Sequence, residues 1–359
     1  MILYRSIIIR VASKNHIIFI LYMCCLLLYT GGCATTTGYQ TSFFQIDAES
    51  ANLVWPPPPQ TTRIRYLGSI ATPAESGDRK SWFSRFLFGK EQPIEVMLRP
   101  YGVFADSNRV YVTDPGLALV HVFDLNGKKY FRIDKAKDEN LVSPIGIAVD
   151  NNGDIYISDS VLKRIIMFDR EGKYIKETGS SEMFIRPAGI AIDEDRIYIV
   201  DTHAHKVFIF SKKDSKFLLV FGGNGAGKGE FNYPTNIFIG KDGSLYITDS
   251  LNFRIQIFDR NGNFISSFGK NGDSLGDFSK PKGIAVDSEG HIYVADAHFD
   301  NVQIFDKDGR LLLTFGNSGR RSGEFTLPAG VFIDKNDRIY VADSYNKRIQ
   351  LFQYLKERK

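Results

Sequence analysis

The sequence predicts an all-β chain, a six-bladed β-propeller of four-stranded blades preceded by an export signal and a Pro-rich linker. Three observations carry this reading. A proline-led motif returns six times, at intervals of 44, 43, 47, 47 and 47 residues. After each return, period-2 apolar runs such as Ile155-Tyr156-Ile157 alternate with turn clusters such as Asn151-Asn152-Gly153-Asp154. No stretch of helical period intervenes, and repeats of this length with four strands each stack around an axis because a lone blade cannot bury its two faces. Composition agrees: 43% apolar and 24% charged residues are globular, and 32 Gly, 28 Phe and 17 Tyr among 359 residues favour short strands joined by turns.

The first element, residues 1–32, is an address. Arg5, Arg10 and Lys14 stand there without an acid, followed by 13 unbroken apolar residues over 17–29, the length of a signal-peptide core rather than of a membrane span. Thr30-Gly31-Gly32-Cys33-Ala34 follows and resembles the lipobox of bacterial lipoproteins, departing from it at Thr30, where that family prefers Leu. The resemblance implies that the Cys33 thiol receives diacylglycerol and becomes the mature N-terminus. An uncleaved anchor and ordinary secretion are the alternatives. Cys24, Cys25 and Cys33 are the three cysteines, all at or before this site. The body therefore offers no thiol for catalysis, disulfides or metal. Removing the signal also removes the charge: the formal +4 becomes 42 basic against 41 acidic side chains, which gives no electrostatic case for nucleic acid.

Residues 33–60 are polar and then proline-rich, ending in Trp55-Pro56-Pro57-Pro58-Pro59. They read as an extended spacer that holds the body off a membrane. Residues 61–359 form the propeller. Within it, Arg63-Ile64-Arg65-Tyr66-Leu67-Gly68-Ser69-Ile70 has the alternation of an outer strand, and the sixth repeat supplies only three strands. Residues 61–70 are therefore expected to close the ring on that open edge. Residues 71–98 are an insertion. Its aromatic stretch Ser81-Trp82-Phe83-Ser84-Arg85-Phe86-Leu87-Phe88-Gly89 reads as a lid over one end of the propeller, the alternative being an amphipathic helix against lipid or a partner.

Residues 99–359 are six repeats. They open with Pro100, Pro144, Pro187, Pro234, Pro281 and Pro328; an aspartate follows 14 or 15 residues later (Asp114, Asp159, Asp201, Asp249, Asp296, Asp343), and a phenylalanine nine residues beyond that (Phe123, Phe168, Phe210, Phe258, Phe305, Phe352). Pro-x-Gly-Ile-Ala-Val-Asp, Ile-Tyr-Val-Ala-Asp-Ser and Asn-x-Arg-Ile-Gln-x-Phe resemble the NHL repeat. That resemblance covers the chain from about residue 63 onward and implies a six-bladed propeller that mediates interactions. Sixfold recurrence makes the aspartates structural, each accepting N–H bonds from the loop that follows. Arg164, Lys206, Arg254 and Arg348, five residues on, are placed to pair with them, while Leu119 and Asn301 take that position in repeats one and five.

Two motifs carry no chemistry. Residues 222–228 spell Gly-x-x-x-x-Gly-Lys, but Gly229 stands where a phosphate loop needs Ser or Thr, so the segment reads as a connector, with Phe231, Phe278 and Phe325 plugging between blades. Asp306-Lys307-Asp308-Gly309 lacks the later glutamate of a calcium loop. The residues expected around the channel mouth are Tyr101, Ile145, Ala188, Thr235, Lys282 and Ala329. None is histidine, as the zinc-binding positions of the similar peptidyl-amidoglycolate lyases would require, and only Asn236 suggests the calcium sites of gluconolactonase-like propellers. No catalytic, cofactor or metal residue is assigned.

The loops after the aspartates differ from blade to blade. With the mouth positions Tyr101 and Lys282, they supply a candidate binding rim of Leu117, Leu162, His203, His205, Phe253, His298, Phe299 and Tyr345. The three histidines could meet at a metal; loop histidines at the surface are the plainer reading. The sequence thus describes a monomeric, lipid-anchored binding scaffold of the cell envelope, at the outer membrane or in the periplasm of a Gram-negative host. Its partner is an envelope protein or small ligand, and nucleic acid is excluded. The alternative is an envelope hydrolase or lyase working at the channel mouth.

Overall fold

The computed structural model describes residues 44–45, 52–71, 97–126 and 129–356. The export signal, Cys33 and the aromatic stretch 81–89 lie outside the described residues. Six antiparallel sheets surround an axis, each a meander whose first strand is innermost. The inner strands are Val103–Ala105, Pro144–Val149, Pro187–Ile192, Pro234–Ile239, Pro281–Val286 and Pro328–Ile333. Blades two to five take four consecutive strands each, as in Pro144–Val149, Ile155–Asp159, Arg164–Phe168 and Tyr174–Thr178.

The repeated residues explain the packing. The six phenylalanines at fixed spacing are at most 1% exposed, and the connector residues Phe231, Phe278 and Phe325 are fully buried in the clusters between blades. Each blade also carries a tyrosine on its second strand. Tyr111, Tyr156, Tyr198, Tyr293 and Tyr340 donate to Asp106, Asp150, Asp193, Asp287 and Asp334 in the turn on the far face; blade four has Gly240 at that turn position. The Gly of the Pro-x-Gly motif sets how closely inner strands approach. A Cβ on Gly146 would fall on the Ala188 carbonyl oxygen of the next blade, and one on Gly330 on that of Tyr101. A larger residue there forces the ring open at its narrowest point.

The open edge of the sixth sheet is filled by Ile64–Ile70, antiparallel to Arg348–Tyr354, with Leu351 opposite Gly68 and Tyr354 opposite Ile64. Val54–Trp55 and Phe44–Gln45 pair in turn with Ile64–Ile70. This corrects the reading of residues 33–60 as an extended spacer at 44–45 and 52–60. The Trp55 ring lies 5.7 Å from Phe352 and 5.9 Å from Phe315, and Leu53 packs on the same cluster. The Trp55 carbonyl accepts from the Arg63 amide at 2.8 Å, and that of Leu53 from the Tyr66 amide at 3.0 Å. The prolines suggested stiffness, but Leu53, Val54 and Trp55 just before them meet a free strand edge and an apolar surface. Burying an indole there outweighs the freedom of an extended chain.

Candidate binding face and channel mouth

Strand register puts the candidate residues on one face. Pro144 pairs with Asp159, Pro187 with Asp201, Pro234 with Asp249, Pro281 with Asp296 and Pro328 with Asp343. The start of each of these inner strands and the loop after its aspartate therefore share the face around one mouth of the channel.

The aspartates are fully buried, and they join two loops rather than one. Asp159 accepts from the Val161 and Leu162 amides of the following loop and from Val142 and Ser143 of the preceding connector. Asp201 and Asp296 are filled the same way, by Ile185, Arg186, His203 and Ala204 and by Ser279, Lys280, His298 and Phe299. Blades four and six keep one connector amide each, from Asn232 and Thr326, and fill the remaining places with side chains. Asp249 takes Arg254 Nε at 2.8 Å with Asn252 and Gln256, and Asp343 takes Arg348 Nε at 2.8 Å with Asn346 and Gln350.

The expected basic partner is thus present in two blades of the four. Arg164 turns to Glu139 and Glu177, and Lys206 is exposed. A carboxylate already holding four amides has no lone pair to offer a guanidinium. In blade one, His121 Nε2 stands 3.5 Å from Asp114, with Nδ1 2.9 Å from the Tyr130 hydroxyl. Burial pushes the Asp114 carboxyl up, but His121 and the Leu98 and Arg99 amides outweigh it and hold the group below the usual range.

Of the candidate rim, His203, His298 and Tyr345 are exposed, the last at 63%. Leu117, Leu162, His205, Phe253 and Phe299 are half-buried, with Leu162 and Phe253 turned onto the clusters between blades. The histidines do not converge. His203 and His205 flank Tyr233, at 5.2 and 4.9 Å between rings, while His298 Nδ1 is 2.9 Å from the Ser279 hydroxyl. Among the described residues no group of three His, Cys, Asp or Glu is placed to hold a metal. Sequence reasoning missed Val161, 58% exposed, and Leu251, 47% exposed. Both stand two residues after their aspartate, in the column that also holds His203, His298 and Tyr345. Aligning the repeats on that column, rather than collecting aromatic and imidazole side chains, reveals them.

Inside the mouth lies a cavity of about 200 Å³, bordered at the top by Tyr101, Ile145, Thr235 and Asn236. Three residues farther down each strand, roughly 10 Å at strand rise, Phe104, Phe238 and Phe332 narrow it. Phe332 lies 4.4 Å from Phe104 and 6.4 Å from Phe238 between ring centres. At the top, the half-buried Lys282 of blade five reaches over blade six, where the small Ala329 leaves room, and sets its ammonium 5.3 Å from the centre of the Tyr101 ring of blade one. The charges that act on Lys282 are Lys280 and Arg99, both cations, and burial above all draws its pKa from 10.5 to about 8. Burial raises the Tyr101 phenol, against the pull of Arg186.

Comparison with known proteins places this ring in a family. A probable peptidyl-alpha-hydroxyglycine alpha-amidating lyase of Caenorhabditis elegans is 32% identical over 106 residues, 28% of this chain and 30% of that protein. The protein brain tumor of Drosophila melanogaster is 30% identical over 130 residues, 34% of this chain and 12% of that protein. The chain thus spans less than a third of either relative. An auxiliary nutrient binding protein of Bacteroides thetaiotaomicron shares the fold, with a TM-score of 0.57 at 15% identity over 72% of this chain and 70% of that one. The family described as 6-bladed beta-propeller (DUF5128) matches residues 177–247, 241–299 and 287–358. With half of the sequence matched and all six blades formed, the chain belongs to this 6-bladed beta-propeller family.

Proposed function

We propose that this propeller is an exported binding module of the cell envelope, tethered by a lipid on Cys33, whose loop-bearing face takes up a protein or small ligand. The observation that carries the reading is the division of labour on that face. The repeated carboxylates are consumed in holding loops together, while the variable column between them exposes apolar side chains at Val161, Leu251 and Tyr345. The fold it shares with a nutrient binding protein supports the same reading.

Three-way replacement of Val161, Leu251 and Tyr345 by Ser leaves the core untouched, so folding should hold. Capture of envelope components by the wild type and loss of that capture by the variant is the expected result; retention of every component refutes the rim. The anchor is tested separately: Cys33→Ser should move the protein from membrane to soluble fractions, and unchanged membrane fractionation with no acyl mass on the mature N-terminus overturns it. A second reading, a lyase or hydrolase at the mouth, draws on the lyase named among the relatives. Stoichiometric zinc or calcium in the purified protein would replace the binding reading with that one.

A further inference from the structure

We infer that the channel mouth is a site for a small organic anion, a carboxylate whose head group meets Lys282 and whose apolar body descends toward Phe104 and Phe332. This deepens the binding reading above and rests on it.

The argument begins with an imbalance. A buried ammonium is ordinarily paired with a carboxylate, because its lost hydration must be replaced. Lys282 is bordered instead by the Tyr101 ring at 5.3 Å, and its charged neighbours, Lys280 and Arg99, repel it. Arg186 acts on Tyr101 from a third blade, so the mouth gathers cations from blades one, three and five. The blade aspartates that cap these openings are already committed: Asp114, Asp201 and Asp296 accept the amides of Arg99, Arg186 and Lys280 themselves. The protein thus supplies positive charge in a partly dehydrated funnel and spends its carboxylates elsewhere, and an incoming anion completes the arrangement.

The space beneath sets the rest of the ligand. A cavity of about 200 Å³ is below the range of drug-sized ligands and suits a short chain or single ring. Its deeper border is aromatic, so the buried part is apolar. Among the lining side chains the polar ones, Tyr101, Thr235 and Asn236, stand at the level of the head group, and the inner-strand backbone supplies the remaining polar surface. Zwitterions and cations are disfavoured by the surrounding Lys280, Arg99 and Arg186.

Calorimetric titration of the full chain with hexanoate, hexylammonium and inorganic phosphate tests this. Hexanoate should bind one to one, hexylammonium should not, and phosphate, lacking the apolar body, should bind at least tenfold more weakly than hexanoate. Because the free amine titrates near 8, the affinity for hexanoate should fall about tenfold between pH 7 and pH 9. Lys282→Gln should cost tenfold or more at pH 7. Lys282→Arg, which keeps charge without titrating, should retain binding and abolish the pH dependence. Absence of hexanoate binding at millimolar concentration, equal binding by hexylammonium, or wild-type affinity in Lys282→Gln overturns the inference. Rim-dependent capture that persists when hexanoate fails to bind overturns only this site and leaves the binding-module reading standing. Loss of both removes the two together.

Discussion

A lysine drawn from 10.5 to about 8 is a lysine whose charge the folded state holds less readily than the unfolded chain does, and that difference is measurable as stability. Replacing Lys282 by Met keeps an unbranched side chain of similar length and removes the charge. A drop of about 2.5 pKa units at 1.36 kcal/mol per unit corresponds to about 3 kcal/mol, an upper bound because the side chain is half-buried. The unfolded chain binds this proton more tightly than the folded one, so wild-type stability rises with pH between about 8 and 10.5. Lys282→Met should therefore be more stable than wild type at pH 7 by up to about 3 kcal/mol, and the two should converge toward pH 10. With an unfolding entropy of roughly 2 cal/mol/K per residue over some 300 ordered residues, the gain at pH 7 is up to about 5 °C in Tm. Scanning calorimetry of both proteins at pH 7, 8, 9 and 10 reads it. A variant no more stable than wild type at pH 7, or a gap that does not narrow with pH, would refute the claim that the mouth holds an uncompensated cation.

Asp343→Asn should cost about 3–5 kcal/mol in denaturant unfolding, because it leaves the Arg348 guanidinium, 13% exposed, without its carboxylate; a loss below about 1 kcal/mol would mean that the bonds from Thr326, Asn346 and Gln350 carry the loop without the ion pair. Trp55→Ala should lower stability by about 3 kcal/mol through loss of its packing on Phe315 and Phe352, and an unchanged midpoint would return residues 52–60 to the role of a spacer. His291 is held above its ordinary pKa chiefly by its hydrogen bond with Asp287 at 2.8 Å, so its contribution is full below about pH 6.5 and fades as pH rises through the raised value. His291→Gln should accordingly lose up to about 1 kcal/mol at pH 6 and less at pH 8.5, and a pH-independent difference would exclude the ion pair as the cause.

The blades were legible because their instructions are local and repeated. Pro, Gly, Asp and Phe recur at fixed offsets, and strand alternation needs no long-range information. The partners of the blade aspartates were only half legible. Whether Asp159 takes amides or an arginine depends on how the loop after it folds, and the Asn at positions 252 and 346, which marks the arginine-filled version, acquires meaning only beside the finished geometry. Trp55 was misread because local composition spoke of proline stiffness while its burial was decided by residues some 260 and 300 positions away. Lys282 was visible as a mouth position, but its isolation was not. The charge around a site is a sum over blades that meet only when the ring closes.

That closure also has a mechanical meaning. Ile64–Ile70 is bonded along its length to Arg348–Tyr354, and Val54–Trp55 is clasped to its outer edge. A pull applied upstream of residue 44 meets the pairing of Phe44–Gln45, then the Trp55 clasp, and only then the ladder to Arg348–Tyr354. Tension entering from that side is borne by the sixth blade, while the mouth residues Tyr101 and Lys282 belong to other blades.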